Sequence, residues 1–300
     1  MRFAAYVALV ASLFLWSGNW IVGRAVREDI SPALAALGRV LIVMLALAPF
    51  ALRGLAAKLR AQPLEGWRTL ALAGLFGGGL HFALQWLALH YTTATSATLF
   101  ISTSPVFILL LAGPLLGERV AALQWLGVTV SFAGIATIVS AGDPAALARL
   151  SVNPGDLLAL GSMLMWALYT IMLNRRRDDL DTPQFLFVLT LVGAVTVAPW
   201  VAWELAYEGR VQLSGVGVIA FVYSALGSFL LAYLGWSYAV PRLGAARAGA
   251  WMHLMPAFGV LLAAIFLGEY PRWYHFAGIA LILAGIALSS VRAASVASSR

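Results

Sequence analysis

Long apolar stretches separated by short polar connections follow one another along the whole chain. Each stretch has about 20 residues, the length that a helix needs to cross a hydrocarbon core roughly 30 Å thick. The stretches are continuous rather than alternating, which excludes a transmembrane β-barrel. The pattern therefore predicts ten membrane-spanning helices, here called spans 1 to 10: residues 3–23, 32–52, 67–89, 92–116, 122–140, 156–174, 182–203, 213–239, 245–267 and 273–291.

The second half of the chain repeats the first. Residues 105–135 align with residues 256–286 without a gap, and 12 of the 31 positions are identical, where biased composition alone predicts about three. Matches such as Trp16 with Trp166, at a shift of 150 residues, extend each copy to five spans. Because five is odd, the second copy enters the membrane from the opposite side, as in many secondary transporters. We expect the two inverted five-helix repeats to occupy residues 1–141 and 156–291.

One motif stands at the same place in both copies. It consists of a proline within a span, Leu-Gly-Glu at the end of that span, and two glycines in the next span. The residues are Pro105, Leu116-Gly117-Glu118, Gly127 and Gly134 in the first copy, and Pro256, Leu267-Gly268-Glu269, Gly278 and Gly285 in the second. In a ten-span chain this duplicated motif resembles the drug/metabolite transporter superfamily, and within it the EamA-type members. The resemblance implies a carrier that moves amino acids, other metabolites or drugs, mostly outward.

Composition agrees with a membrane protein and removes several classes of function. The hydrophobic fraction is 62% and the charged fraction 10%, against about 45–50% and 25% in soluble domains. The chain has no cysteine, which excludes thiol catalysis, cysteine-ligated zinc and iron–sulfur clusters. It also lacks the phosphate-binding loop of ATP-driven proteins, the H-E-x-x-H metal motif and the G-x-S-x-G nucleophile motif. We therefore expect no enzyme, no cofactor and no metal.

The positive charge of the chain sets its predicted orientation. The net charge is +7, and 18 of the 19 basic residues are arginines. They lie singly or in small groups between apolar stretches, unlike the clustered basic face of a nucleic-acid binder. With the N-terminus inside, 13 basic residues fall in cytoplasmic segments and 5 in outer ones, as the positive-inside rule requires. We expect a bacterial cytoplasmic membrane protein with both termini in the cytoplasm and a small-molecule substrate. We expect a monomer, with a dimer as the alternative, and no nucleic-acid partner.

Polar and aromatic stripes occur near mid-depth in spans 1, 3, 4, 6, 8 and 9. In hydrocarbon such side chains tend to face the bundle interior or a hydrated cavity. We predict that seven of them line one central substrate-binding cavity: Asn19, His81, Gln85, Trp166, Tyr169, Trp251 and His253. The alternative is that they only bond and pack neighbouring helices. Arg39 is expected to extend to the membrane surface, or else to form part of an outer gate.

The acidic residues narrow the substrate class. All 12 lie at span ends or in connections, so a cationic substrate would find no counter-charge at mid-depth. Glu118 and Glu269 are expected to hold loop amides or arginines rather than substrate. An amino acid fits better, because Asn, Gln and His side chains and helix ends can bind its charged groups. The sequence thus predicts an alternating-access exporter of amino acids, preferably aromatic or apolar. The alternative is an exporter of drugs or other metabolites with the same fold.

Overall fold

The computed structural model describes residues 2–26, 29–91, 100, 102–118, 120–149, 153–176, 178–207, 211–212, 214–267 and 270–290, and these form an all-α bundle. Seven spans are single helices in their described parts: Arg2–Val26, Pro32–Ala51, Ser104–Leu116, Ala122–Val139, Pro154–Asn174, Thr182–Tyr207 and Trp273–Ser290. Spans 3 and 8 each contain a π-helical segment, within Leu64–Tyr91 and Gly215–Leu243. Span 9 consists of Ala245–Trp251 and Leu254–Leu267, and two short helices, Leu55–Ala61 and Pro144–Ala148, lie in connections.

The outer surface of this bundle is apolar. Within the described residues, seven helical stretches are long and apolar enough to cross a membrane, and two shorter apolar helices accompany them. Large apolar side chains such as Leu45, Ile219 and Phe266 point outward on different spans, each more than 70% exposed. A soluble protein would bury a surface of this kind, whereas lipid tails solvate it. The prediction of an all-α membrane protein is confirmed.

The packing of the spans follows a two-fold rule. Span 1 packs against span 8, and the equivalent pair, span 6 and span 3, packs in the same way. Spans 2 and 7, 4 and 9, and 5 and 10, which are equivalent to each other in the repeat, pack as pairs. This is the arrangement that a two-fold axis between inverted copies produces. The side of the bundle at which span 1 begins is called the N-terminal side below, and the other the opposite side.

Spans 5 and 10 show the inversion at atomic level. A Cβ atom on Gly127 would lie 2.5 Å from the carbonyl oxygen of Gly285, and one on Gly134 would lie 2.5 Å from that of Gly278. In the sequence repeat, Gly127 corresponds to Gly278 and Gly134 to Gly285. Each glycine therefore contacts the counterpart of the other, as in an isologous interface. These four glycines form a packing surface between spans 5 and 10.

Two pairs of irregular segments lie at equivalent places in the repeats. π-Helical turns cover Gly74–Leu80 in span 3 and Ser224–Leu231 in span 8, starting 150 residues apart. Span 9 is interrupted at Met252 and His253, four and three residues before Pro256, because proline has no N–H for the carbonyl one turn back and its ring displaces that carbonyl. In span 4, a turn at Ser102–Thr103 precedes the helix that contains Pro105. Irregular helices in membrane proteins are tolerated beside protein or a cavity, and both pairs face the bundle interior.

Candidate functional site

A cavity lies between the two repeats, and the π-helical turn of span 8 and the interruption of span 9 contribute to its lining. Its volume is about 50 Å³, room for a few water molecules, each of which needs at least about 10–15 Å³. Side chains from spans 1, 2, 3, 6, 8 and 9 line it: Trp16, Asn19, Arg39, His81, Phe82, Gln85, Met163, Trp166, Ser228, Tyr233, Met252 and Met255. Both repeats contribute, so the cavity lies at the pseudo-two-fold axis.

Two equivalent tryptophans mark this axis. The rings of Trp16 and Trp166, one from each repeat, meet edge to face with their centroids 5.0 Å apart. The indole N–H of Trp16 donates to the carbonyl oxygen of Ser228 at 2.8 Å, and that of Trp166 donates to the sulfur of Met252 at 3.3 Å. Tyr233 packs against both rings, at 5.8 and 5.5 Å. The satisfied N–H groups fix the ring planes, so these aromatic walls are rigid.

Three polar groups of the cavity come from the predicted set. Asn19 accepts a hydrogen bond through Oδ1 from the hydroxyl of Ser224 at 2.7 Å. His81 donates through Nδ1 to the carbonyl oxygen of Ser162 at 3.1 Å, while the hydroxyl of Ser162 donates to the carbonyl oxygen of His81 at 2.8 Å. Gln85 lies one turn further along span 3 and lines the same cavity. With Trp166, the structure thus brings four of the seven predicted residues together.

The other three predicted residues lie outside the cavity lining. Tyr169 is fully buried one turn from Trp166, and its hydroxyl lies 3.3 Å from that of Ser237. Trp251 packs with its ring 5.0 Å from that of Tyr6. His253 is buried between spans 9 and 4, where Nε2 donates to the carbonyl oxygen of its repeat counterpart, Ser102, at 3.0 Å. These positions place Tyr169, Trp251 and His253 in helix packing.

Arg39 corrects the expectation that this side chain extends to the membrane surface. It is 2% exposed and lines the cavity. Its Nη2 donates to the carbonyl oxygen of Ser224 at 3.1 Å, at the start of the π-helical turn of span 8. The guanidinium carbon also lies 5.1 Å from the ring centre of Phe82 and 5.6 Å from that of Phe229. Arg39 therefore contacts aromatic faces and a carbonyl inside the bundle and does not extend to the membrane surface.

The cavity is closed on the N-terminal side. Trp236 and Tyr233 are at most 1% exposed, and they continue span 8 from the cavity toward that side. Tyr233 donates through its hydroxyl to the carbonyl oxygen of Gly77 at 3.1 Å, which joins span 8 to the π-helical turn of span 3. Tyr169 completes this layer from span 6. These buried aromatic side chains form a layer between the cavity and the N-terminal side.

Glu118 lies on the same side of the bundle. It follows the end of span 4 in the chain and contacts the start of span 9. Its carboxylate accepts from the backbone N–H groups of Ala245 and Ala246, and the amide of Asn174 donates to Oε1 at 3.4 Å. Burial raises the pKa of the Glu118 carboxyl, and the two amides and the nearby charge of Arg247 oppose that rise. This carboxylate caps the first turn of the helix Ala245–Trp251 and is not among the residues that line the cavity. Glu269, its counterpart in the second copy, lies outside the described residues.

Several lining residues were not among the sequence candidates. Met163, Met252, Met255 and Phe82 carry no polar atom that distinguishes a cavity from a lipid face or a core. Arg39 did carry a signal, because an ionisable residue inside a span marks a functional site by default. Arg39 is only seven residues from the start of span 2, so the sequence suggested that its side chain could extend to the membrane surface.

The fold and the cavity define a class of protein: a membrane transporter built from two inverted repeats around a central site. A model of the EamA-like transporter family matches residues 3–140 and again residues 153–291. The chain belongs to this family, and the resemblance inferred from the duplicated Pro…Leu-Gly-Glu motif is confirmed.

Individual relatives are similar over nearly their whole length. An uncharacterized transporter of Archaeoglobus fulgidus is 28% identical over 97% of this chain and 99% of its own. A probable terminal-alkyne amino-acid exporter of Streptantibioticus cattleyicolor is 28% identical over 95% of this chain and 93% of its own. A solved crystal structure superposes with a TM-score of 0.76 at 22% identity, over 96% of this chain and 97% of that one, which shows the same fold.

Proposed function

We propose that this transporter exports amino acids with aromatic or apolar side chains across a bacterial cytoplasmic membrane by alternating access. The observation that carries the proposal is the division of the cavity into two kinds of surface. Asn19, Gln85 and Arg39 offer polar groups that suit the α-carboxylate and α-ammonium of an amino acid. Trp16 and Trp166 form a rigid apolar wall for its side chain. The name of the amino-acid exporter relative from Streptantibioticus cattleyicolor gives independent support.

The methionines extend this apolar wall in a form that tolerates different side chains. Met163, Met252 and Met255 come from spans 6 and 9, and a methionine side chain adapts to irregular shapes better than a branched one. Because the thioethers can move aside while the aromatic rings stay fixed, the cavity can widen around leucine, phenylalanine or tryptophan. This supports a substrate class defined by apolar size rather than by one side chain.

The closed layer of Tyr169, Tyr233 and Trp236 supports alternating access. With the N-terminal side sealed, exchange with that side requires these side chains to move. Inverted repeats make this movement possible, because each copy can adopt the conformation of the other. The side of the cavity that was closed then becomes the open one. If the N-terminal side is the cytoplasm, the closed layer separates a loaded site from the cell interior.

Counterflow in proteoliposomes tests the substrate class. Liposomes loaded with unlabelled phenylalanine should accumulate labelled phenylalanine, leucine or tryptophan transiently and with saturation, and glycine much less. A pore would show neither counterflow nor saturation. If no amino acid is exchanged and a lipophilic drug is, the protein is a drug exporter instead.

Single-cysteine labelling tests the proposed orientation. The chain has no cysteine of its own, so Arg300→Cys and Ala145→Cys each introduce one reactive thiol. Position 145 is exposed in the connection between spans 5 and 6, on the opposite side of the bundle. An impermeant maleimide should label Ala145→Cys in intact cells and Arg300→Cys only after permeabilisation. Labelling of position 300 from outside would contradict the inverted topology and the proposed direction.

A further inference from the structure

One cationic side chain lies in the cavity without a carboxylate beside it. Arg39 is about 10 Å along span 2 from its first residue, at 1.5 Å per residue, and is almost completely buried. Among the described residues that line the cavity, it is the one with a permanent charge, and none is acidic. The removal of a guanidinium from water is costly unless a counter-charge or hydrogen bonds replace the water.

The carboxylate of Glu204, close to the start of span 2, binds backbone amides and not Arg39. Glu204, on span 7, accepts from the backbone N–H groups of Ala33 and Leu34, at 3.1 Å to Oε1 and 2.9 Å to Oε2. Both oxygens thus cap the first turn of the helix that carries Arg39. For Arg39 the structure gives one carbonyl partner, Ser224, and two aromatic faces. Its Nε is buried and has no hydrogen-bond partner.

These contacts orient the guanidinium of Arg39 so that it can bind a planar anion. The rings of Phe82 and Phe229 lie close to the guanidinium carbon, and the bond from Nη2 to Ser224 fixes its rotation. A guanidinium binds a carboxylate through two parallel N–H···O bonds, which a rigid orientation favours. The unpartnered Nε is one donor that such a carboxylate could use.

We propose that Arg39 binds the substrate carboxylate, and that the carboxylate rather than the ammonium defines the substrate class. The site would then accept apolar monocarboxylates with or without an α-amino group. It would reject the corresponding amines, amides and esters. This inference rests on the proposed function of the same cavity and specifies its substrate chemistry. The absence of an acidic group among the described lining residues supports it, since an ammonium there finds only neutral acceptors.

A set of phenylalanine analogues tests the proposal on the unmodified protein. The probes are L-phenylalanine, 3-phenylpropionate, 3-phenylpropanamide and phenethylamine. Two measurements apply: inhibition of labelled leucine counterflow, and the rise of melting temperature in detergent, which reports binding without transport. 3-Phenylpropionate should bind within about tenfold of phenylalanine, because the ammonium that it lacks has no carboxylate partner in the cavity and its absence removes the cost of burying that cation. The amide and the amine should bind about tenfold to a hundredfold more weakly, because they lose bonds to a charged donor.

Variants at one position assign the effect to Arg39. The ratio of acid affinity to amide affinity should fall to about one in Arg39→Gln and keep an intermediate value in Arg39→Lys, which retains the charge without the planar fork. A ratio unchanged in Arg39→Gln, or equal binding of acid, amide and amine by the unmodified protein, would overturn the proposal. If Arg39→Gln does not fold, Arg39→Lys and the unmodified protein still decide the matter, because a purely structural arginine predicts no discrimination between acid and amide.

The two proposals fail in different ways. If amino acids exchange but the acid and the amide bind equally, the exporter proposal stands and the role of Arg39 is refuted. If no amino acid exchanges while 3-phenylpropionate binds in an Arg39-dependent manner, the carboxylate site stands and the amino-acid substrate is refuted.

Discussion

Replacement of Trp166 by alanine is expected to weaken the affinity for phenylalanine by about tenfold, while the affinity for alanine changes much less. The indole forms part of the rigid wall at the pseudo-two-fold axis. A substrate ring that loses roughly 55 Å² of apolar contact loses about 1.4 kcal/mol, at 25 cal/mol per Å², and this corresponds to a tenfold change. A methyl side chain is too small to reach the same surface and loses little.

The measurement is a series of affinities for alanine, leucine and phenylalanine, from competition in counterflow. In the unmodified protein the affinity should rise along this series as the buried apolar area grows. In Trp166→Ala the series should flatten, and in Trp166→Phe it should keep most of its slope. Gln85→Leu should instead weaken the affinity for all three amino acids by a similar factor. Gln85 is proposed to contact the α-carboxylate or α-ammonium, which all three share.

A matched control separates binding from a general effect of tryptophan loss. Trp203 is half exposed on span 7, where it packs on Tyr207. Trp203→Ala should leave the slope of the series unchanged. Trp251→Ala separates the sequence hypothesis from the structural one, since the first predicts a flatter series and the second only lower stability. Folded Trp166→Ala protein with the affinities of the unmodified protein would show that this ring only packs helices.

The overall architecture could be predicted from the sequence because the bilayer thickness fixes the length and the apolar character of each span. A helix of about 20 apolar residues is the economical way to cross a hydrocarbon layer, so the spans follow from hydropathy alone. The inversion follows from the repeat and from the odd number of spans in each copy. Even particular contacts follow, since residues that correspond in the two copies, such as Trp16 and Trp166, meet where the axis passes.

The cavity was less predictable because polarity and cavity lining are different properties. Asn19 and Gln85 are polar and lie in the cavity, whereas His253 is equally polar and bonds the carbonyl of Ser102 in a neighbouring span. From sequence the two cases look alike, because in lipid a buried polar group needs a partner of either kind. Met255 lines the cavity and carries no signal at all. The helical phase of a span indicates which residues face inward, but not where neighbouring helices leave a gap.

The interface between spans 5 and 10 should be sensitive to a single added methyl group. In Gly134→Ala, the new methyl group would lie 2.5 Å from the carbonyl oxygen of Gly278 and 2.9 Å from the backbone nitrogen of Ile282. Backbone atoms cannot rotate away as a side chain can, so the two helices must separate. Overpacking of this kind costs about 1–3 kcal/mol. We expect the melting temperature in detergent to fall by several degrees.

Gly259→Ala is the matched control, because Gly259 also lies within a span and a Cβ there would meet nothing within 4 Å. Its melting temperature should stay the same or rise, since alanine favours a helix by about 1 kcal/mol over glycine. Gly285→Ala, at the position equivalent to Gly134, should lower it as Gly134→Ala does. The pair Gly127→Ala and Gly134→Ala should cost less together than the sum of the two, because helices already forced apart accommodate the second methyl group more easily. If Gly134→Ala melts at the same temperature as Gly259→Ala, the close antiparallel contact between the two repeats is not present in the folded protein.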